Sequence, residues 1–176
     1  MSWKIMFKNI ILTGFMGVGK TSIGMRLASD LGYTFVDTDD LIEADQKTTI
    51  SEIFAQKGEP YFRDVEARVI RTILENENQV VSTGGGAVIR DENRTAFKDA
   101  GLVVCLTARP EVIYKRIKHE THRPLLKVPD PMARIRDLLE SRAEFYGQAD
   151  IIIDTSEKSV DEAVLEIKDK VRYARC

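Results

Sequence analysis

The sequence predicts an α/β fold in three layers, with helices covering both faces of a parallel sheet. Short apolar runs rich in β-branched residues recur at Asn9–Thr13, Thr34–Asp37, Gln79–Thr83, Leu102–Thr107 and Asp150–Asp154, and most are separated by segments with helical periodicity. Runs such as Val103-Val104-Cys105-Leu106 are apolar on successive residues. That pattern suits strands buried on both faces and joined by right-handed helical crossovers. In such a sheet, function gathers at the C-terminal ends of the strands.

The helices follow from their stripes. Ile23, Leu27 and Leu31 recur at i, i+4, i+8 after Gly19, and Val65, Val69/Ile70 and Ile73/Leu74 form a second stripe. Arg63 and Glu66 fall on a different, non-core face of that second helix. Arg109-Pro110-Glu111 and Asp130-Pro131 read as helix starts, because proline suits the first turn. Ile135, Leu138, Leu139, Phe145 and Tyr146 share one helix, and Val160, Val164, Ile167 and Val171 mark a C-terminal packing helix. No repeat, low-complexity tract or linker interrupts the chain. A single domain over residues 1–176 is expected, with His119–Pro129 its one long irregular stretch containing proline.

Composition narrows the function classes. The 176 residues are 43% hydrophobic and 31% charged, enough for one core but not two. Twenty-six basic residues against 28 acidic ones leave a net charge of -2, so no global positive field exists to attract a nucleic acid. Cys105 lies in an apolar run and Cys176 at the last position, with no CxxC or Cys/His spacing, which points to reduced cytosol without structural zinc. Lys4 and Lys8 precede Ile10, Ile11 and Leu12, but this run is too short for a signal peptide or a membrane span. A soluble cytoplasmic protein is expected.

Residues 14–21, Gly-Phe-Met-Gly-Val-Gly-Lys-Thr, match GxxxxGK[ST] directly after a predicted strand and at the mouth of an amphipathic helix. Glycines let the backbone curl so that N–H groups point inward, and the helix N-terminus adds partial positive charge beside a phosphate. Gly17, Val18, Gly19, Lys20, Thr21 and Ser22 are the candidate nucleotide contacts. Lys20 reaches β- and γ-phosphate oxygens, and the Thr21 hydroxyl can ligate Mg²⁺. A glycine-rich turn with a chance lysine is the competing reading, which the full pattern in its strand–helix context disfavours. The motif does not separate kinases from GTPases, motors or regulators. The absence of an NKxD sequence argues against a GTPase, and the chain is short for a motor.

The second apolar run ends Asp37-Thr38-Asp39-Asp40, placing Asp37 and Asp39 on one side of the chain if it stays extended. The carboxylate nearer the phosphates can hold a Mg²⁺ shell through water. The other can accept a hydrogen bond from an attacking hydroxyl and orient it. Capping of a helix starting near Leu41 by Thr38, Asp39 or Asp40 explains the same residues; the upstream phosphate loop tips the balance toward chemistry.

Arg63 with Glu66 one turn on can pair bidentately with a substrate carboxylate, although an Arg/Glu pair at i, i+3 is usually a surface ion pair. Gly84, Gly85 and Gly86 follow the third strand, where missing side chains let backbone N–H groups approach a ligand. Arg142 falls on an apolar stripe at i+4 from Leu138, so it either meets an anion or snorkels past its neighbours. Arg123, beside Pro124 in the irregular stretch, lies where a loop can close over a nucleotide, exclude water and bring a cation to the transferring group, but by itself it reads equally as an ordinary solvated loop arginine.

Taken together, GFMGVGKT at 14–21, DTD at 37–39, FRDVE at 62–66, GGG at 84–86, RPLL at 123–126 and RAEFY at 142–146 resemble the shikimate kinase family in that order. The resemblance implies a P-loop kinase of the nucleoside-monophosphate-kinase type, with a five-stranded parallel sheet, a substrate-binding insertion near residues 38–66 and a mobile lid near 118–130. It implies ATP and Mg²⁺, with the metal held by Thr21 and, through water, Asp37. Lys20, Asp39 and Arg123 become catalytic, Arg63 and Arg142 clamp the shikimate carboxylate beside Gly84–Gly86, and Arg116 lies against adenine. The segment from Asp154 to Val160 keeps the family's Asp-Thr start but lacks the proline that members tend to carry, leaving adenine contacts there open. A monomer acting on small molecules, with no nucleic-acid or membrane partner, is expected. The competing readings are a gluconate or nucleoside monophosphate kinase, and a module that senses ATP or shikimate without turnover.

Overall fold

The computed structural model describes residues 7–120 and 128–173. Five strands, β1 (Asn9–Thr13), β2 (Thr34–Asp37), β3 (Gln79–Ser82), β4 (Leu102–Thr107) and β5 (Ile151–Asp154), form one sheet in the order β2-β3-β1-β4-β5. All four pairings are parallel, with Ile11 opposite both Val81 and Val103, and Asp37 opposite Ser82. Every residue of β1 and β3 is buried, as strands covered on both faces require. The predicted strands therefore stand, with β3 and β5 each one residue shorter at one end.

The described helices are α1 (Lys20–Leu31), α2 (Thr38–Gln46), α3 (Ile50–Leu74), α4 (Asp91–Ala100), α5 (Pro110–Ile117), α6 (Pro131–Tyr146) and α7 (Val160–Tyr173), with a short 3₁₀ turn at Ala87–Ile89. Helix α1 packs against α7, α3 against α4, and α5 against α6. Pro110 and Pro131 open α5 and α6 as their sequence context predicts, and the Asp130 side chain caps α6 by accepting from the Ala133 N–H. Helix α3 starts with a capping box between Thr49 and Glu52 and breaks at Gly58 (φ 81°, ψ 172°) before Pro60 restarts it. Among the described residues, no helix is long and apolar enough to cross a membrane.

Three sequence expectations need correction. Helix α2 begins at Thr38, not near Leu41, because the Asp37 carboxylate already caps it by accepting from the Asp39 N–H at 2.9 Å. The chain is thus helical, not extended, between Asp37 and Asp39. Val160 belongs to α7 but is 38% exposed, since it occupies the first turn beyond the edge of the packed face. Glu66, expected on a solvated face, is fully buried.

A large core surrounds the sheet from Ile10 to Val171, and a smaller cluster of Ile42, Ile53, Phe62, Val65 and Val69 lies under α2 and α3. At the N-terminal end of the sheet, the buried Asn9 side chain ties three segments together. Its Nδ2 donates to the Asn76 carbonyl at 2.9 Å and the Ala100 carbonyl at 3.4 Å, while its Oδ1 accepts from the Gln79 N–H at 3.0 Å. Truncation strands the buried Gln79 N–H and takes a donor from two part-buried carbonyls. Asn9→Ala is therefore expected to cost about 2–3 kcal/mol in denaturant unfolding, while leaving the distant opposite end of the sheet assembled.

Candidate active site

In space the strand tips deliver different groups to one edge of the sheet. Strand β1 leads into the phosphate loop, β2 into Asp37 and Asp39, and β3 into the glycine turn, while β4 leads into α5 and β5 into Thr155. The loop after β1 fits only glycine at position 14. Its φ is 131°, and a Cβ there would overlap the Leu106 carbonyl oxygen of β4. Lys20 arches back over this loop, its Nζ donating to the Gly14 carbonyl at 2.7 Å and the Phe15 carbonyl at 2.8 Å. Thr21 and Ser22 stand exposed at the start of α1, beside Gly17, Val18 and Gly19.

The cap of α2 is Asp37, not Thr38, Asp39 or Asp40, and its second oxygen faces the phosphate loop. Its Oδ1 caps α2, and its Oδ2 accepts from the Thr21 hydroxyl at 3.4 Å. A hydroxyl and a carboxylate thus meet beside the phosphate loop, and no group of three or more His, Cys, Asp or Glu side chains able to hold a metal occurs among the described residues. Such a sparse, oxygen-only pair fits Mg²⁺, which keeps several waters and takes phosphate oxygens as its remaining ligands.

The acceptor side is built on bare backbone. A Cβ on Gly84 would lie 2.9 Å from both the Asp39 and the Glu66 carboxylates, and one on Gly86 would overlap the Arg63 guanidinium. Gly85 sits 3.5–3.6 Å from the phosphate loop at Gly14, Phe15 and Met16, measured in the same way. Gly84 and Gly86 are therefore required by close approach, not by an unusual backbone angle, whereas a Cβ on Gly85 would make only ordinary contacts. The Gly84 N–H is already engaged, donating to Thr38 Oγ1 at 3.2 Å, and the Gly85 carbonyl accepts from the Tyr146 hydroxyl at 2.6 Å. Gly84 thus offers a ligand closeness of approach instead of the N–H that the sequence suggests.

Arg63 donates to Glu66 Oε2 at 2.7 Å and pairs more loosely with Glu59 at 3.3 Å, its side chain only 12% exposed. Glu66 Oε1 is buried and has no hydrogen-bond partner. Burial raises the Glu66 pKa, the adjacent Arg63 opposes that rise, Asp39 adds to it and Arg142 subtracts from it. The Arg142 guanidinium lies 5.7 Å from the centroid of the Phe15 ring, half-buried, which resolves the choice left by its stripe in favour of an inward aim.

Arg116 donates to the Gly17 carbonyl at 3.1 Å and the Thr155 carbonyl at 2.7 Å, so it bridges the phosphate loop to the segment after β5. Thr155, 2% exposed, bonds in turn to the Val18 carbonyl at 2.7 Å. Sequence reading passed over Thr155, Thr38 and Tyr146. The retained Asp-Thr pair and the RAEFY segment contain them, but a hydroxyl's partner across the chain leaves no local trace. Arg123 lies outside the described residues.

Breaking the Arg63–Glu66 pair has a pH signature. A carboxyl whose folded pKa exceeds its unfolded one binds more protons when folded, so it removes stability as pH rises above the unfolded value. Arg63→Ala takes away the largest opposing charge and raises the folded pKa further. We expect a loss of about 3–5 kcal/mol near pH 7, shrinking as pH falls through the raised folded pKa values towards the ordinary glutamate range, where the carboxyl is protonated with or without Arg63, and checked by unfolding across that window. An equal loss at every pH would remove Glu66 ionisation from the effect.

Comparison with known proteins agrees with this geometry. The family model described as "Shikimate kinase" matches residues 16–172. A shikimate kinase of Thermodesulfovibrio yellowstonii is 47% identical over 160 residues, 91% of this chain and 92% of that one, and one of Geobacter metallireducens is 48% identical over 91% and 89%. The solved structure of a shikimate kinase from Acinetobacter baumannii in complex with shikimate superposes with a TM-score of 0.93 at 35% identity, covering 97% of this chain and 96% of that one. With the phosphate loop from Met16 onward, the paired aspartates, the glycine turn and the half-buried Arg63 inside the matched span, the chain belongs to the shikimate kinase family.

Proposed function

We propose that this protein transfers the γ-phosphoryl group of ATP to the 3-hydroxyl of shikimate, giving shikimate 3-phosphate and ADP, as a step of aromatic amino acid biosynthesis. ATP-dependent kinase activity follows from the family. The observation that carries the acceptor assignment is the meeting of Asp39, Arg63 and Arg142 around a glycine turn packed against the phosphate loop. Two guanidiniums near one turn suit a single carboxylate, held by charge-assisted hydrogen bonds. Asp39 beside Gly84 suits a neighbouring hydroxyl.

In this reading Gly17–Ser22 hold the ATP phosphates through backbone N–H groups and the α1 N-terminus. Lys20 leaves its own loop carbonyls for the β- and γ-oxygens. Thr21, and Asp37 through water, hold Mg²⁺, which neutralises charge on the β- and γ-phosphates. Asp39 accepts a hydrogen bond from the 3-hydroxyl and takes its proton as the new O–P bond forms and the bond to ADP breaks. Arg116, already spanning Gly17 and Thr155, offers a guanidinium face to adenine. Arg123 closes from the lid near residues 118–130, supplying charge that in such enzymes is worth about 10³–10⁵ in rate.

The chain acts as one domain over residues 1–176, with the substrate region near 38–66. Every named group comes from a single chain, which supports a monomer. Its lone described thiol, Cys105, is buried in β4, in keeping with the cytoplasm.

A coupled ADP-release assay across shikimate, gluconate and nucleoside monophosphates tests the reading. ADP release that depends on shikimate alone is expected. Preference for gluconate or a nucleotide would move the chain to another acceptor, and binding of ATP and shikimate without ADP would make it a sensor. Asp39→Asn should lower kcat by at least about 10²-fold, read at saturating substrates; a mild loss would leave Asp39 only an orienting role.

A further inference from the structure

We propose that Tyr146 is a positioning residue that locks Arg142 and the Gly84–Gly86 turn into one rigid acceptor wall, so that its hydroxyl sets affinity for the substrate carboxylate without touching substrate. This rests on the acceptor reading given above. Three observations converge on it.

The first is the bond itself. Tyr146 is 7% exposed, and its hydroxyl donates to the Gly85 carbonyl at 2.6 Å across 61 residues of sequence. The glycine turn has no side chains of its own with which to hold its place. Its carbonyls at Gly84 and Gly86 accept the Ala87 and Ile89 N–H groups at 3.0 and 3.1 Å within the turn. The Tyr146 bond is the tie from α6 to the middle glycine.

The second is the placing of Arg142, one helical turn before Tyr146. Its guanidinium and, more weakly, that of Arg63 lie near enough to the phenol for their charges to oppose the rise that burial imposes on it. Burial pushes the phenol up to about 12, so it stays a donor at every working pH. Phe15 of the phosphate loop supports the other side of Arg142, at 5.7 Å. A long, half-buried arginine loses rotamer freedom between two such walls before substrate arrives, which is how pre-organisation improves binding.

The third is a second strut beside the first. Arg94 of α4 donates to the Val88 carbonyl at 2.6 Å and the Ile89 carbonyl at 2.9 Å, just after the glycine turn, and its guanidinium lies 4.6 Å from the Phe145 ring centroid. Phe145 thus packs on Arg94, which holds the segment after the glycines, whereas Tyr146 reaches the middle glycine itself through a directed bond next to Arg142, which makes Phe145 a fitting control for packing alone.

The experiment is a double-mutant cycle on Tyr146→Phe and Arg142→Ala, read as kcat/KM for shikimate, with KM for ATP and thermal stability measured in parallel. Tyr146→Phe is expected to raise the shikimate KM about five- to tenfold, with kcat and the ATP KM within about twofold. In the Arg142→Ala background the same change should cost less than about twofold. Phe145→Leu should lower stability and leave the shikimate KM in place. An unchanged shikimate KM in Tyr146→Phe overturns the proposal, as does a full penalty that persists without Arg142, an equal rise in the ATP KM, or an equal effect of Phe145→Leu. If Tyr146→Phe does not fold, ring-labelled tyrosine NMR on the wild-type protein reads the same contact. The buried phenol's resonance should move on addition of shikimate and hold still with ADP, and a resonance indifferent to shikimate overturns it. A wild-type protein inactive on shikimate would instead remove the acceptor reading itself, so the two failures are distinguishable.

Discussion

Bare backbone at the tip of β3 is the constraint on which the site depends. With a Cβ at Gly84, neither the Asp39 nor the Glu66 carboxylate could keep its place, and with one at Gly86 the Arg63 guanidinium would be displaced. Close approach of charged groups to a main chain lets the side chains of Asp39 in α2 and of Arg63 and Glu66 in α3 lie near a phosphate loop that follows β1. Gly85, packed on Gly14, Phe15 and Met16, joins the two halves.

That closeness has an electrostatic cost, and the arrangement of charges answers it. Asp39 and Glu66 flank the same glycine, and Glu66 is buried with one oxygen lacking a hydrogen bond, so each disfavours the other's charge. Arg63 and Arg142 counter them from two different helices. A cluster with this balance is strongly coupled to whatever anion joins it, because an added carboxylate changes the partners available to every member. The cluster proposed to meet an acidic acceptor is therefore also part of what holds α3 against the sheet.

On the nucleotide side, the ties run through carbonyls. Lys20 closes on Gly14 and Phe15, Arg116 on Gly17 and Thr155, and Thr155 on Val18, so carbonyls along the loop from Gly14 to Val18 are engaged by cations or hydroxyls. Membership of the shikimate kinase family and this loop together account for an ATP-dependent kinase.

Much of this was legible in the linear chain, for a local reason. Successive apolar residues mark the strands of a doubly covered sheet, proline at 110 and 131 marks helix starts, and GxxxxGK[ST] works through contiguous backbone. Those features depend on neighbours in sequence, so the five strands, the phosphate loop and the order of the site motifs could all be read before any fold was known. Tertiary structure decided what depends on partners far away. The Arg63–Glu66 pair was readable from its spacing, but its burial was not, since that follows from the glycine turn and from α2 closing over it. The inward aim of Arg142 against Phe15, the duty of Thr155 under the phosphate loop and the Tyr146 bond to Gly85 join residues 61 to 137 positions apart. A hydroxyl or guanidinium carries no mark of which distant carbonyl it will meet, because only the packing of strands and helices brings the two within hydrogen-bond range.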